Sequence, residues 1–159
     1  MISSLIIKNH QRRQRIDSRL LRRMTLTLVE NLLNRNEFDL AIHIVNARRM
    51  TVINETFLQH EGSTDVITFD YNDPNVPTLS GELFICLDDA VLQAARFKTT
   101  WQSELTRYVV HGFLHLCGHD DHDPAKRRTM KRQEGQLLKK LDSRFSVSNL
   151  ALPPIRPLR

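Results

Sequence analysis

Residues 109–123, which read VVHGFLHLCGHDDHD, restrict the local structure more than any other part of the sequence. His111 and His115 are four residues apart in an apolar stretch typical of a helix, and this spacing puts both imidazoles on one helix face. Gly118 follows three residues after His115 and can reverse the chain through a left-handed turn. The segment therefore predicts a metal site with His111 and His115 as two of its ligands.

The returning chain offers two candidates for a third ligand. Asp121 lies ten residues after His111, and His122 lies one residue further. A carboxylate and an imidazole are both competent zinc ligands, so the residue types leave this choice open. Four of the seven histidines fall within twelve residues, which favours a metal centre over separate structural histidines.

Gly112 bears on the chemistry that such a site can perform. In the H-E-x-x-H motif of metallopeptidases, the residue after the first histidine is a glutamate that serves as the general base. Gly112 occupies that position here. The sequence therefore disfavours peptide hydrolysis, although the histidine pair resembles the metal platform of metzincin peptidases.

Hydrophobic periodicity predicts strands and helices interspersed along one domain, of α+β or α/β class. The predicted strands cover about 5–8, 38–44, 65–69 and 81–87, and the predicted helices about 18–34, 49–58, 88–99, 103–117 and 124–141. Residues 143–159 contain three prolines and three arginines, a composition that predicts a loose basic tail.

Composition narrows the functional class and the cellular location. The 159 residues are 40% hydrophobic, enough for a single core, and no apolar run is long enough for a membrane span. The N-terminal residues lack a basic region before a short apolar run, so no secretory signal is predicted. Cys86 and Cys117 are the only cysteines. We therefore expect no disulfide framework and a reducing, cytoplasmic location.

Charge is distributed unevenly along the chain. Residues 8–23 and residues 124–140 each contain seven basic residues and one acidic residue. Residues 50–95 contain eight acidic residues and no lysine or arginine. Two basic blocks of this kind indicate a polyanionic partner such as nucleic acid, although two solvated helix faces would give the same pattern.

Three segments together resemble a known family. Residues 111–118 (HGFLHLCG), followed by Asp120, look like the H-G-x-L-H-L-x-G-x-D-H motif of the YbeY family, which are bacterial metal-dependent endoribonucleases of ribosomal RNA maturation. Residues 64–69 are similar to that family's T-D-V-L-S-F segment, and residues 81–85 resemble its G-[DE]-I-x-I strand. The resemblance covers about residues 40–141.

The resemblance implies a fold, a cofactor and a set of partners. The fold is an α+β single domain over residues 1–145, with a mixed β-sheet packed with helices and the histidine-bearing helix central, followed by a basic, loose tail over 146–159. The activity is cleavage of single-stranded RNA in ribosomal RNA maturation and ribosome biogenesis. One Zn²⁺ or another divalent ion per chain is the cofactor. Ribosomal RNA is the partner, together with a ribosomal subunit or ribosomal proteins, and no membrane is involved.

Two departures from the family pattern concern the site. The third family histidine corresponds in position to Asp121, and the spacing from Asp121 to Met130 matches the family without a gap, so Asp121 is preferred to His122 as the third ligand. The family's Tyr-Arg pair corresponds to Phe57-Leu58, and that arginine is tied to its RNA chemistry. His60 is a candidate substitute. The missing arginine motivates an alternative function, a non-catalytic, metal-stabilised ribosome-assembly factor.

Overall fold

A computed structural model describes residues 3–155 and contains a four-stranded mixed sheet. The strands are β1 (Ser3–Asn9), β2 (Phe38–Val45), β3 (Val66–Asp70) and β4 (Leu79–Cys86). Their order is β1-β2-β4-β3, in which β1, β2 and β4 run parallel and β3 pairs antiparallel with β4 at the edge. The predicted α+β class and the mixed sheet are confirmed.

Five α-helices connect and cover the strands. They are α1 (Ser18–Leu26), α2 (Ala47–Leu58), α3 (Leu87–Phe97), α4 (Trp101–Leu116) and α5 (Pro124–Arg144). The helix α1 continues as a π-helical segment, Thr27–Leu32, and a short 3₁₀ helix, Val147–Leu150, follows α5. Among residues 3–155, no helix combines the length and the apolar character needed to span a bilayer.

Polar side chains mark the N-termini of four of these helices. Asp17, Asn46, Thr100 and Asp123 each accept a hydrogen bond from a backbone N–H three residues later, which satisfies a donor that the helix leaves free. The predicted helix start at Ser103 is therefore wrong, because Thr100 is the cap and α4 begins at Trp101.

The helix α4 lies at the centre of the molecule, as expected. Ten of its sixteen residues are buried, and it contacts β3, β4, α3, α5 and the 3₁₀ helix. The buried side chains of β2 and β4 alternate along each strand and point to the same side of the sheet. Packing of α4 against this face fixes the position of the histidine pair relative to the sheet.

Two glycines allow α4 to approach β4 closely. A Cβ on Gly112 would lie 2.1 Å from Leu83 Cδ2, and a Cβ on Gly81 would lie 2.6 Å from Leu116 Cδ2. Real Cβ atoms do not tolerate such distances in a close-packed core. The absence of a glutamate at position 112 therefore has a packing cause, since this position has no room for any side chain.

The segment after α5 differs from its predicted loose state. Val147 and Leu150 are buried. The backbone of the same segment hydrogen-bonds to the region before α1, through Asp17 N–H to Leu150 O at 2.8 Å and Leu152 N–H to Arg15 O at 2.9 Å. The expectation of a loose tail is thus corrected for residues 147–152, because apolar side chains and backbone hydrogen bonds hold them. Residues 156–159 lie outside the described part of the chain.

Candidate metal centre

His111 and His115 present their Nε2 atoms to one another and to Asp121. The two Nε2 atoms are 3.1 Å apart, and Asp121 Oδ2 lies 3.8 Å from His111 Nε2 and 3.7 Å from His115 Nε2. Ligands at about 2.0–2.1 Å from a tetrahedral Zn²⁺ are separated by roughly 3.3–3.5 Å. The three atoms therefore have nearly the spacing that one tetrahedral metal ion requires.

The other nitrogen of each imidazole is already engaged. His111 Nδ1 hydrogen-bonds to Glu134 Oε2 at 3.1 Å, and His115 Nδ1 hydrogen-bonds to the backbone carbonyl of His119 at 3.0 Å. A carboxylate and a carbonyl accept hydrogen bonds, so both Nδ1 atoms carry the proton in the neutral rings. Each Nε2 atom then keeps a free lone pair, and the two Nε2 atoms lie close enough to share one ion, which is the arrangement typical of metal-ligating histidines.

The turn after α4 brings Asp121 back to the histidines. Gly118 has a φ of +98°, and a Cβ there would have no neighbour within 4 Å, so the glycine is needed for its backbone conformation rather than for space. The N–H of His119 donates to Leu114 O at 3.0 Å and closes the turn. Asp121 follows directly on this returned chain and is about one third exposed.

His122, the other candidate, faces the same cleft as the histidine pair but does not belong to their group of ligand atoms. Its side chain is 89% exposed, and its Nε2 atom lies 3.6 Å from Asp120 Oδ1. Asp120, Asp121 and His122 form a second group whose ligand atoms lie within 4.8 Å of one another, but that group is more exposed than the first. The geometry thus favours Asp121 as the companion of His111 and His115.

Glu134 on α5 connects the site to a cation and was not identified from the sequence. Its carboxylate accepts from Arg107 Nη1 at 3.0 Å as well as bonding His111. The bond to Glu134 raises the pKa of His111. Burial by itself would raise the pKa of Glu134, but the hydrogen bonds from His111 and Arg107 outweigh burial and hold this pKa below its ordinary value.

A sequence signal for Glu134 existed. Glu134 is the single acid in a basic block, and it follows Met130 by four residues and precedes Leu137 by three. All three residues are buried on one face of α5. A carboxylate within the buried face of a helix requires a partner, because an unpaired buried charge is costly.

Three further acids, Asp65, Asp70 and Glu82, form no hydrogen bond with His111 or His115. Asp65 and Asp70 line the cleft beside the histidines, but Asp65 accepts from the Val66 N–H and the Thr64 hydroxyl, and Asp70 accepts from the Asn72 N–H. Glu82 bonds His43 and Tyr71 instead, and its side chain lies on the opposite face of the sheet from the inward-pointing Leu83.

The candidate metal centre opens into a wide cleft. The cleft has a volume of about 750 Å³ and contains His111, His115 and Asp121 in its wall. Leu58 and His60, from the end of α2 and the loop after it, line the same cleft. The position that the family resemblance assigns to an arginine is therefore adjacent to the metal centre.

Comparisons with known proteins agree on one family. Residues 6–142 match the profile of the family described as Endoribonuclease YbeY. Endoribonuclease YbeY of Chlorobium luteolum is 36% identical over 129 residues, covering 81% of this chain and 92% of that protein. Endoribonuclease YbeY of Parabacteroides distasonis is 39% identical over 100 residues, covering 63% and 69% of the two chains.

A solved structure has a similar fold. The solution structure of TM1509 from Thermotoga maritima aligns with a TM-score of 0.65 at 22% identity. The alignment covers 89% of this chain and 91% of that one. At this level of identity, the likeness supports the single-domain α+β architecture and carries no argument about activity.

Proposed function

This chain belongs to the YbeY endoribonuclease family, and on that premise we propose that it cleaves single-stranded RNA with one Zn²⁺ held by His111, His115 and Asp121. The observation that carries the proposal is the convergence of three ligand atoms at 3.1–3.8 Å in the wall of an open cleft. Three protein ligands leave a tetrahedral ion one position for water or substrate, which is the pattern of catalytic zinc sites.

The ion, when bound, would polarise a phosphate oxygen and lower the pKa of a coordinated water. The protein's own part is to hold the ligands. Glu134 fixes the orientation and the tautomer of His111, and the His119 carbonyl does the same for His115. Arg107 compensates the charge of Glu134, so that this carboxylate remains ionised although it is buried.

Leu58 is the residue that most affects the expected rate. The arginine that the family has at the position of Leu58 would place a guanidinium in the cleft, where it could stabilise charge that develops on the phosphate. Leu58 cannot do so, but His60 of the α2–β3 loop lines the same cleft and has a side chain that could donate a hydrogen bond or carry a positive charge. We infer that His60 partly substitutes for the arginine.

The direct test is cleavage of a single-stranded ribosomal RNA fragment by wild-type protein and by His115→Ala, purified side by side, with and without chelator. We expect cleavage by the wild type that chelator abolishes and the variant lacks. Equal cleavage by both proteins would indicate a contaminating nuclease and would contradict the proposal.

Leu58 also favours a second candidate, a metal-stabilised ribosome-assembly factor without catalysis. In that case neither protein cleaves RNA, and removal of the metal lowers thermal stability only. Leu58→Arg distinguishes the two, because it should raise the cleavage rate of an enzyme and should leave a non-catalytic factor inactive.

We further propose that the substrate is ribosomal RNA in the cytoplasm and that the protein acts there in ribosome biogenesis, in contact with a ribosomal subunit or ribosomal proteins. The family membership and the two basic blocks support this assignment. Co-sedimentation of the protein with ribosomal subunits at increasing salt would test it, and absence from all ribosomal fractions at low salt would count against it.

A further inference from the structure

A row of three cavities follows the seam between α4 and α5 and ends at the metal centre. The first cavity, of about 270 Å³, and the second, of about 280 Å³, share Arg107 in their walls. The second cavity shares His111 and Asp121 with the metal cleft. We call the first two cavities the α4–α5 groove. Because each cavity adjoins the next, the groove suits a chain polymer better than a compact small molecule.

Four cations and three carboxylates line the α4–α5 groove, which leaves it with a net positive charge. Arg107, Arg127, Lys131 and Lys139 line it. Arg107 is paired with Glu134, whereas within residues 3–155 the other three cations form no ion pair. The three carboxylates are Asp142 in the first cavity and Asp121 and Glu134 in the second. A groove with this lining attracts an anion.

Arg127 and Lys131 stand next to the metal centre. They are four residues apart and line the second cavity together, so they are neighbours on one face of α5. Like charges at this spacing destabilise a helix unless an anion lies between them. Arg127 Nε donates to the backbone carbonyl of Asp121 at 3.3 Å, which directs the guanidinium towards the loop that carries the third metal ligand.

Gly135 is a second, independent sign of a ligand in the groove. It lies in the interior of α5, where a glycine costs about 0.5–1 kcal/mol relative to alanine. A Cβ at this position would have no neighbour within 4 Å, so the packing of the protein does not require glycine. Gly135 lines the first cavity, and the missing side chain leaves the groove floor open to close approach.

We propose that the α4–α5 groove is the track along which the RNA strand reaches the metal centre. Arg127 and Lys131 hold the backbone phosphate beside the one at the metal, and Lys139 contacts a phosphate further along the strand. Gly135 lets the strand lie close to α5. This inference rests on the proposed ribonuclease function and specifies the route of its substrate.

The first test measures binding without cleavage. A fluorescent single-stranded RNA 12-mer is titrated with protein in chelator at several salt concentrations, for the wild type, for Arg127→Gln/Lys131→Gln and for Arg128→Gln/Arg132→Gln. The control pair is exposed on the same helix, carries the same charge and does not line the groove.

For single-stranded nucleic acid, each lost phosphate contact reduces the slope of log affinity against log salt by about 0.7. We expect the groove variant to bind more weakly and to lose about 0.7 from this slope, while the control variant retains the wild-type slope. Equal changes in both variants would mean that charge acts diffusely, and would overturn the track.

A second variant excludes misfolding as an explanation. Gly135→Gln replaces glycine by a good helix former, so its melting temperature should rise, while the new side chain fills the groove floor and weakens RNA binding. A raised melting temperature with unchanged RNA affinity would overturn the inference. Because both tests use protein without metal, a failure of the nuclease assay would leave the groove result standing, and the reverse is also true.

Discussion

At the residue scale, we expect the hydrogen bond between Glu134 and His111 to raise the Zn²⁺ affinity of the proposed site. Glu134→Gln keeps the shape of the side chain but removes the negative charge that His111 and Arg107 share. Loss of such an outer partner typically lowers metal affinity 10–100-fold. We expect a decrease of about this size in Zn²⁺ affinity, measured by competition with a chelating dye.

Glu104→Gln is the matched control for that experiment. Glu104 is also buried and lies 3.7 Å from Arg107, but it does not touch either histidine. Its replacement should leave the Zn²⁺ affinity near the wild-type value. Equal losses of Zn²⁺ affinity in the two variants would show that this affinity depends on compensating the charge of Arg107 and not on orienting His111.

Two alanine variants test whether Asp121 or His122 is the third metal ligand. We expect Asp121→Ala to lower Zn²⁺ affinity more than Glu134→Gln does, because it removes a ligand rather than a supporting group. His122→Ala should leave the affinity unchanged, since this imidazole is 89% exposed and points to Asp120. The opposite ranking of the two alanine variants would assign the third position to His122.

Local sequence patterns predict part of this site. The i, i+4 histidines and the following glycine are sufficient to predict the pair and the returning chain, because both depend on local backbone geometry. Glu134 and Arg107 lie 23 and 4 residues from His111 along the chain. Their meeting depends on how α5 packs on α4, which local patterns do not encode.

At the scale of elements, the contact between α4 and β4 depends on glycine. Gly112→Ala forces a methyl group against Leu83, and overpacking of this kind typically costs about 1–3 kcal/mol. We expect a loss of unfolding free energy in this range by urea denaturation, accompanied by weaker metal binding because α4 carries both histidines.

Gly135→Ala provides the matched comparison on α5. It is also an interior helix glycine, but a Cβ there meets nothing within 4 Å, so this substitution should stabilise the protein by about 0.5–1 kcal/mol. If both alanine variants changed stability in the same direction, the close approach of α4 to β4 would not be the reason for Gly112.

Asp88 of α3 connects this helix to α2 and to the loop between β1 and α1, and its contacts make the stability of the fold depend on pH. Its carboxylate accepts from Ala47 N–H at 2.7 Å, at the start of α2, and from Arg13 Nη1 at 3.0 Å. The backbone bond from Ala47 is the main cause that lowers the pKa of Asp88, and Arg13 adds to it against the opposing effect of burial. A lowered pKa stabilises the fold above the unfolded-state pKa, and this stability is lost as pH falls through the folded-state value.

We therefore expect Asp88→Asn to cost about 1 kcal/mol at pH 7 and the difference from wild type to narrow as the pH falls below about 4. Urea denaturation over this pH range measures the difference. Asp89→Asn is the control, because burial raises the pKa of Asp89 and the narrowing should be absent. A constant difference for Asp88→Asn at every pH would refute the assignment.

The presence of each strand and helix is easier to predict from the sequence than the residue at which it begins or the neighbour against which it packs. All four strands and five α-helices follow from hydrophobic periodicity, since each buries one face. The start of α4 was misplaced because Thr100 and Ser103 are both good caps. The segment after α5 was expected to be loose because its composition is polar and proline-rich, yet Val147 and Leu150 are enough to hold it against the core.

At the scale of the whole molecule, the metal cleft and the α4–α5 groove are lined by segments of different charge. The acidic segment, residues 50–95, supplies part of the metal cleft. The second basic block, residues 124–140, supplies one wall of the α4–α5 groove. The composition predicted a polyanionic partner, but only the packing of α5 on α4 identifies which basic residues face the cleft. The groove and the metal centre together form one continuous surface for a strand.

We propose that RNA cleavage requires one metal ion held by His111, His115 and Asp121. The most direct test of this proposal is titration of metal-free protein with Zn²⁺ while the initial rate of single-stranded RNA cleavage is followed. We expect the rate to rise linearly and to saturate at one ion per chain, with no rise for His115→Ala. Cleavage by the metal-free protein at the saturated rate, or an equal rise for His115→Ala, would contradict it.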